Sequence, residues 1–174
     1  MKAYRKYMYV GLPVLGVLFY LFYLHRAAID LVYSDYIRLT LSYLPDVWDP
    51  EKFFVPDLLT RIPVNFLERA VNVELFGYSV TFDRVLGVLG FGLSALILGA
   101  YSRKMRIGAG WFTAMMVFMF SLNKWEMMTN GTGWVCTLSI TGFLFHFAVL
   151  DHAAATRCRN MSDRVLLAIL PILL

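Results

Sequence analysis

Apolar stretches long enough to cross a bilayer recur along this chain, separated by short basic clusters. A spanning helix needs about 20 mainly apolar residues, because the hydrocarbon core is about 30 Å thick and each residue rises about 1.5 Å. Four segments fit that demand: residues 7–24, 85–101, 107–122 and 134–150. A fifth apolar run opens at Val165 and has ten residues to Leu174. Ten residues cover about half a hydrocarbon core, so the chain reads as the N-terminal piece of a longer protein. The expected fold class is all-α, with four full transmembrane spans plus a truncated fifth in one transmembrane domain over residues 1–174. Composition agrees. The chain is 59% hydrophobic and 16% charged, whereas a soluble domain is about 45–50% apolar and about 25% charged.

Basic residues set the expected orientation. Lys2, Arg5 and Lys6 precede the first span, Arg103, Lys104 and Arg106 follow the second, and Arg157, Arg159 and Arg164 follow the fourth. A zigzag chain puts all three clusters on one side, which is then cytoplasmic, N-terminus included. Arg26 and Arg84 sit at span ends on the other side and dissent. No small-x-small cleavage site follows residues 7–24, so this segment reads as an uncleaved span of a protein integral to the cell membrane, with membrane lipids as partners. The net charge of +4 is spread through these clusters, which argues for topology and against nucleic acid. Cys136 and Cys158 fall on opposite sides of one span, which excludes a disulfide between them. Gly87, Gly90, Gly92, Ser94, Ala95 and Gly99 give the second span a small-residue side suited to close helix packing.

The loop over residues 25–84 is too long for a simple connection and reads as folded, outside the cytoplasm. Ala27–Leu44 has helical spacing, ended by Pro45 and Pro50. Pro63–Phe76, closed by Gly77, is the second helical piece. Its Val64, Leu67, Val71 and Leu75 form an apolar stripe opposite Asn65, Glu68, Arg69 and Asn72, the pattern of a helix lying in the interface plane.

No nucleophilic triad, Walker loop, HExxH or dinucleotide fingerprint is present, so candidates for chemistry are positional. Asp35, in YSDYIRL, stands beside apolar surface that raises a carboxylate's proton affinity, as a general base needs. It reads equally as a surface carboxylate paired with Arg38. Asp57 and Arg61 are spaced for a helix ion pair, or for an acid–base group beside a phosphate-binding guanidinium. Trp125 and Glu126 open the second external loop, where Trp125 also suits an interface anchor. His146 lies within a span, where a hydrogen bond to a neighbouring helix suffices to explain it. Asp46, Asp49 and Glu51 offer oxygens but match no EF-hand spacing, so no metal site is expected. No cofactor is indicated.

Two segments carry a resemblance. FFVPDLLTRIPVNFLERAVNVELFGYS looks like the first external loop of bacterial polytopic proteins of the GT-C class of membrane glycosyltransferases. FSLNKWEMMTNGTGW resembles the opening of their second external loop. The resemblance implies transfer of a sugar from a polyprenyl-phosphate carrier at the outer face of the membrane. It further implies Asp35 or Asp57 as the base, Arg61 with Arg38 as substrate contacts, and Trp125 with Glu126 in the cavity wall. The chain departs from the family's paired acidic motif, since Leu58 follows Asp57. The alternative from another class is a non-catalytic membrane protein, a transporter subunit or an envelope-assembly scaffold.

Overall fold

The computed structural model describes residues 3–27, 29, 36–37, 40–41, 44, 46–54 and 62–173. Among the described residues the regular structure is helical. The α-helices with described bounds are α1 (Ala3–Ala27), α2 (Ile62–Phe76), α3 (Val80–Lys104), α4 (Ala109–Met119), α5 (Trp125–Thr129), α6 (Gly133–Ala155) and α7 (Met161–Leu173), with short 3-10 turns at Pro50–Phe54 and Leu122–Lys124; residues 36–37 and 40–41 of the long loop are helical as well. Within them, Tyr7–Ala27, α3 and α6 are long and apolar enough to cross a membrane. Each exceeds 20 residues, so each reaches beyond about 30 Å. α1 runs unbroken through Pro13.

α3 is the hub of the bundle, because its small residues admit neighbours on two sides. A Cβ on Gly99 would collide with the Tyr9 carbonyl, and one on Gly92 with the Val17 side chain. These contacts set α1 antiparallel to α3. On the other side a Gly87 Cβ would lie 3.2 Å from the Trp134 backbone nitrogen and a Gly90 Cβ 3.0 Å from Thr137 Oγ1. Ser94 and Thr141 hydroxyls meet at 2.9 Å, the Tyr101 hydroxyl donates to the Phe147 carbonyl, and Lys104 pairs with Asp151. α3 and α6 are therefore parallel over their whole lengths. The apolar core between α1, α3 and α4 includes Tyr9, Tyr20, Phe91, Phe112, Met116 and Phe120.

Parallel neighbours oblige the chain to travel back from the Lys104 end to the Gly133 end. It was expected to do so in one helix over residues 107–122. Instead α4 has 11 residues, about 16 Å, half of a crossing. The return is completed by the 3-10 turn and α5. Phe112 packs on Tyr9 at one end of the bundle, Phe120 sits edge-on to Tyr20 and Phe91, and Met127 lies against Gly133 at the other end.

An interrupted helix inside a bundle must satisfy its freed carbonyls from side chains. Here the Phe118 carbonyl accepts from Ser121 Oγ (2.8 Å), the Met119 carbonyl from Lys124 Nζ (2.8 Å) and the Ser121 carbonyl from the Tyr20 hydroxyl (2.8 Å). The Lys124 ammonium also lies 4.9 Å from the Phe91 ring centroid, at the helix end where a cation suits the dipole. The break is thus a bonded feature of the fold.

The turns that carry the second and third basic clusters fall at one end of the bundle together with the start of α1; Lys2 lies outside the described residues. The start of α1, the α3–α4 turn and the α6–α7 turn are brought together there by Tyr9 on Ile107 and by Lys104 on Asp151. α7 begins four residues before the expected fifth span and packs on α6. The predicted consequence of the α1–α3 contact is asymmetric. Gly99→Ala should lower stability in detergent by about 1–3 kcal/mol, whereas Gly110→Ala, with nothing within 4 Å of the new Cβ, should leave it unchanged or slightly raised. Equal thermal midpoints for the two variants would contradict the close approach.

Candidate functional site

The end of the bundle opposite the basic clusters is organised around one carboxylate. Ser79 caps α3, its side chain accepting from the Phe82 backbone nitrogen, and this sets Asp83 in the first helical turn, where negative charge meets the positive end of the dipole. Asp83 is fully buried. Its Oδ2 accepts from the Tyr36 hydroxyl (2.7 Å) and from Arg69 Nη1 (2.8 Å), and its Oδ1 from Asn72 Nδ2 (2.7 Å). Donors from the long loop and from α2 therefore converge on the first turn of a spanning helix.

The α2–α3 corner fixes that convergence. Gly77 and Tyr78 both adopt left-handed backbone, with φ 61° and 63°. Glycine takes this conformation freely and tyrosine does not. The corner is held because Asn72 Oδ1 accepts from Ser79 N (2.7 Å), Asn72 Nδ2 reaches the Ser79 carbonyl (3.2 Å), and the Tyr78 amide donates to the Asn72 carbonyl (3.0 Å).

Arg69 is the counter-charge. It is 1% exposed and lies 5.4, 5.6 and 5.8 Å from the ring centroids of Tyr36, Tyr78 and Trp134, an aromatic cage that favours a desolvated guanidinium. Burial opposes its charge, but Asp83 and Glu68 beside it more than compensate and hold its proton affinity above the ordinary value. Glu68 Oε2 lies 3.0 Å from Arg69 Nε. Burial, with the adjacent Asp83 carboxylate adding to it, nonetheless pushes Glu68 up to about 9 against the opposing pull of Arg69. Burial and Asp83 also raise the Tyr36 hydroxyl, and burial raises Tyr78.

α2 presents the faces read from its sequence, but in an unexpected setting. Its polar residues Glu68, Arg69 and Asn72 are buried against the bundle, while Leu67, Val71, Leu75 and Phe76 are exposed. A helix with its polar face in protein and its apolar face outward is suited to lipid contact, since exposed polar groups there go unsatisfied. Trp48 braces the turn before α2, its indole nitrogen donating to Glu74 (2.5 Å) and its ring edge-on to Phe66.

The second loop closes the same end. Arg84 is buried and donates from Nε to the Thr129 carbonyl (2.5 Å) and from Nη2 to the Ile29 carbonyl (2.7 Å). This accounts for an arginine at the end away from the basic clusters: it stitches backbone. Gly131, with φ 85°, comes within contact of Tyr36. The crevice between Asp83, Arg84, Gly87, Met128 and Trp134 is too narrow for a water molecule. Asp83 is therefore a dry anchor. Among the described residues, both Glu68 carboxyl oxygens, Arg69 Nη2, the Tyr78 hydroxyl, Ser102 Oγ, Trp134 Nε1 and His146 Nδ1 are buried without a hydrogen-bond partner.

Asp35, Arg38, Asp57 and Arg61 lie outside the described residues. Trp125 and Glu126 are at this end, on α5, with both side chains exposed while Met128 and Thr129 turn inward. Asp46 and Asp49 accept from the backbone amides of Trp48 and Glu51, both at 3.0 Å, and so close local turns. No cluster of metal-binding side chains occurs among the described residues. His146 lies on α6, half-buried beside Phe147. The apolar pattern alone starts the second span at Val85 and leaves Asp83 in the loop. A Ser cap followed by an acid in the first turn was the available signal, and it places the start at Val80.

These features define an α-helical membrane protein. No protein-family model matches the chain, and no solved structure matches it. Over 60 residues it is 33% identical to the sn-glycerol-3-phosphate import ATP-binding protein UgpC of Bartonella quintana (strain Toulouse), a stretch covering 34% of this chain and 17% of that protein. The chain thus spans well under two thirds of that relative, and so short a match shows no family.

The Glu68 carboxyl carries a pH signature. Its folded value of about 9 exceeds the ordinary 4.5, so the folded state binds the proton more tightly than the unfolded state does. Its contribution is complete below pH about 4.5 and is lost as pH rises towards 9. The wild-type thermal midpoint should fall across that range, and Glu68→Gln should flatten the fall and raise the midpoint at pH 8. A wild-type profile rising with pH, unchanged by Glu68→Gln, would contradict this.

Proposed function

We propose that this chain forms part of a lipid-linked-sugar glycosyltransferase acting at the outer face of the cytoplasmic membrane, with its N-terminus in the cytoplasm. The observation that carries the reading is the setting of α2. Its exposed Leu67, Val71, Leu75 and Phe76 make an apolar shelf, pinned to the first turn of α3 by the Asp83–Arg69 contact. Such a shelf suits the polyprenyl tail of a carrier lipid, the donor class implied by the GT-C resemblance. The dry hub itself does no chemistry. The positive-inside rule supports the orientation, since the basic clusters share the opposite end.

In this reading Asp35 or Asp57 removes the proton from an acceptor hydroxyl. The acceptor oxygen attacks the anomeric carbon, the bond from that carbon to the carrier's phosphate oxygen breaks, and the carrier phosphate leaves with the electron pair. Arg61 and Arg38 stabilise the leaving phosphate through planar guanidinium contacts. Trp125 and Glu126 line the acceptor side.

The test is sugar transfer from a polyprenyl-phosphate donor by the full-length protein carrying Asp35→Asn or Asp57→Asn. One of the two should lose about 10²–10⁴-fold in rate with unchanged expression and thermal midpoint, the range expected for removal of a general base. Full activity in both variants would overturn the assignment and favour a non-catalytic envelope scaffold.

A further inference from the structure

The opposite end of the bundle carries a feature that sugar transfer does not use. α6 stops at Ala155 and the chain turns sharply, with Arg157 and Cys158 both left-handed at φ 54° and 53°. The turn is braced by the Cys158 amide on the Ala153 carbonyl (2.7 Å) and by Arg164 Nε on the Cys158 carbonyl (2.7 Å). Beside it opens a cleft of about 440 Å³ lined by Ala155, Thr156, Arg157, Arg159 and Asn160. That volume lies within the range of small-molecule sites.

The charge of this cleft is unbalanced. Arg157 and Arg159 are exposed, and among the described residues neither forms an ion pair. One nearby acid is taken up by the cleft's own polar residues and the other by α3. Asp163 is buried, with Asn160 Nδ2 at 3.3 Å, Thr156 Oγ1 at 3.5 Å and His152 Nε2 at 3.8 Å. Asp151 pairs with Lys104. Two guanidiniums thus face an open cleft with no carboxylate committed to them.

An exposed apolar face adjoins the cleft. α7 starts at Met161, directly after the cleft, and Met161, Val165 and Ile169 are exposed at four-residue spacing. An apolar stripe along one helix face suits lipid contact, and cations at its head favour anionic lipid. We propose that the α6–α7 cleft seats the phosphate of an anionic phospholipid, with Arg157 and Arg159 as its guanidinium contacts and the acyl chains lying along α7. The charge complementarity and the adjoining stripe select a lipid headgroup over free phosphate, which would gain nothing from the stripe.

The full chain in nonionic detergent is titrated with dioctanoyl phosphatidylglycerol, dioctanoyl phosphatidylcholine and inorganic phosphate, with binding read by native mass spectrometry. Wild type should prefer the phosphatidylglycerol to the phosphatidylcholine and to phosphate. The double variant Arg157→Gln with Arg159→Gln should bind the anionic lipid about thirtyfold more weakly, while Arg103→Gln, exposed at the same end but outside the cleft, should bind as wild type does. No preference for the anionic lipid in wild type overturns the proposal whatever the variants do. So does an equal loss in Arg103→Gln, which marks a diffuse field, or phosphate binding as tight as that of the lipid, which marks a free-anion site.

Discussion

Asp83 is the point on which the upper end of this molecule depends. A carboxylate with no solvent access is tolerable only when its oxygens are fully hydrogen-bonded and its charge is matched. Here the helix dipole, Asn72, Tyr36 and Arg69 meet both conditions. Asn72 fixes the corner, Arg69 fixes the rotation of α2, and Tyr36 draws the first loop onto Gly131 of the second. The exposure of the apolar stripe follows directly, because rotating α2 to bury Leu67 and Leu75 would pull Arg69 off Asp83.

The same rule governs the interior of the bundle. Polar backbone groups at membrane depth need internal partners, and the chain meets that need in two ways. α1, α3 and α6 do so by continuous helical bonding, and glycines on α3 let them approach closely. The return path from α4 to α5 does so with side chains, as Tyr20, Ser121 and Lys124 take up carbonyls that the helix leaves open. The interruption also turns Met128 into the core and Thr129 towards Arg84, which a straight helix of the expected length would not do.

The sequence reveals the long spans because hydropathy over 18 or more residues is a strong signal, and the small face of residues 87–99 reads directly as a packing surface. It underestimates their ends. Asp83, Arg84 and Asp151 are charged, so they fall outside any apolar window, yet each lies within a helix. The break after Met119 is hidden for the opposite reason: Phe120, Leu122 and their neighbours are apolar enough to continue a span, and only the bonding of Ser121 and Lys124 to carbonyls identifies the turn. The amphipathic pattern of α2 was legible, but its setting was not. Periodicity tells which residues share a face and says nothing about whether protein, water or lipid covers it. Resolving that took the charge pairing between Arg69 and Asp83, residues separated by a corner with two left-handed positions.

The central claim is that Arg69 and Asp83 act as one buried unit. A double-mutant cycle with Arg69→Met and Asp83→Leu in the full chain, read as unfolding free energy in detergent, addresses it most directly. Arg69→Met strands the buried Asp83 carboxylate and should cost about 3–5 kcal/mol; Asp83→Leu leaves Arg69 with Glu68 at 3.0 Å and should cost less, while the double variant should lose much less than the sum. Additive losses, or a single variant as stable as wild type, would contradict the account.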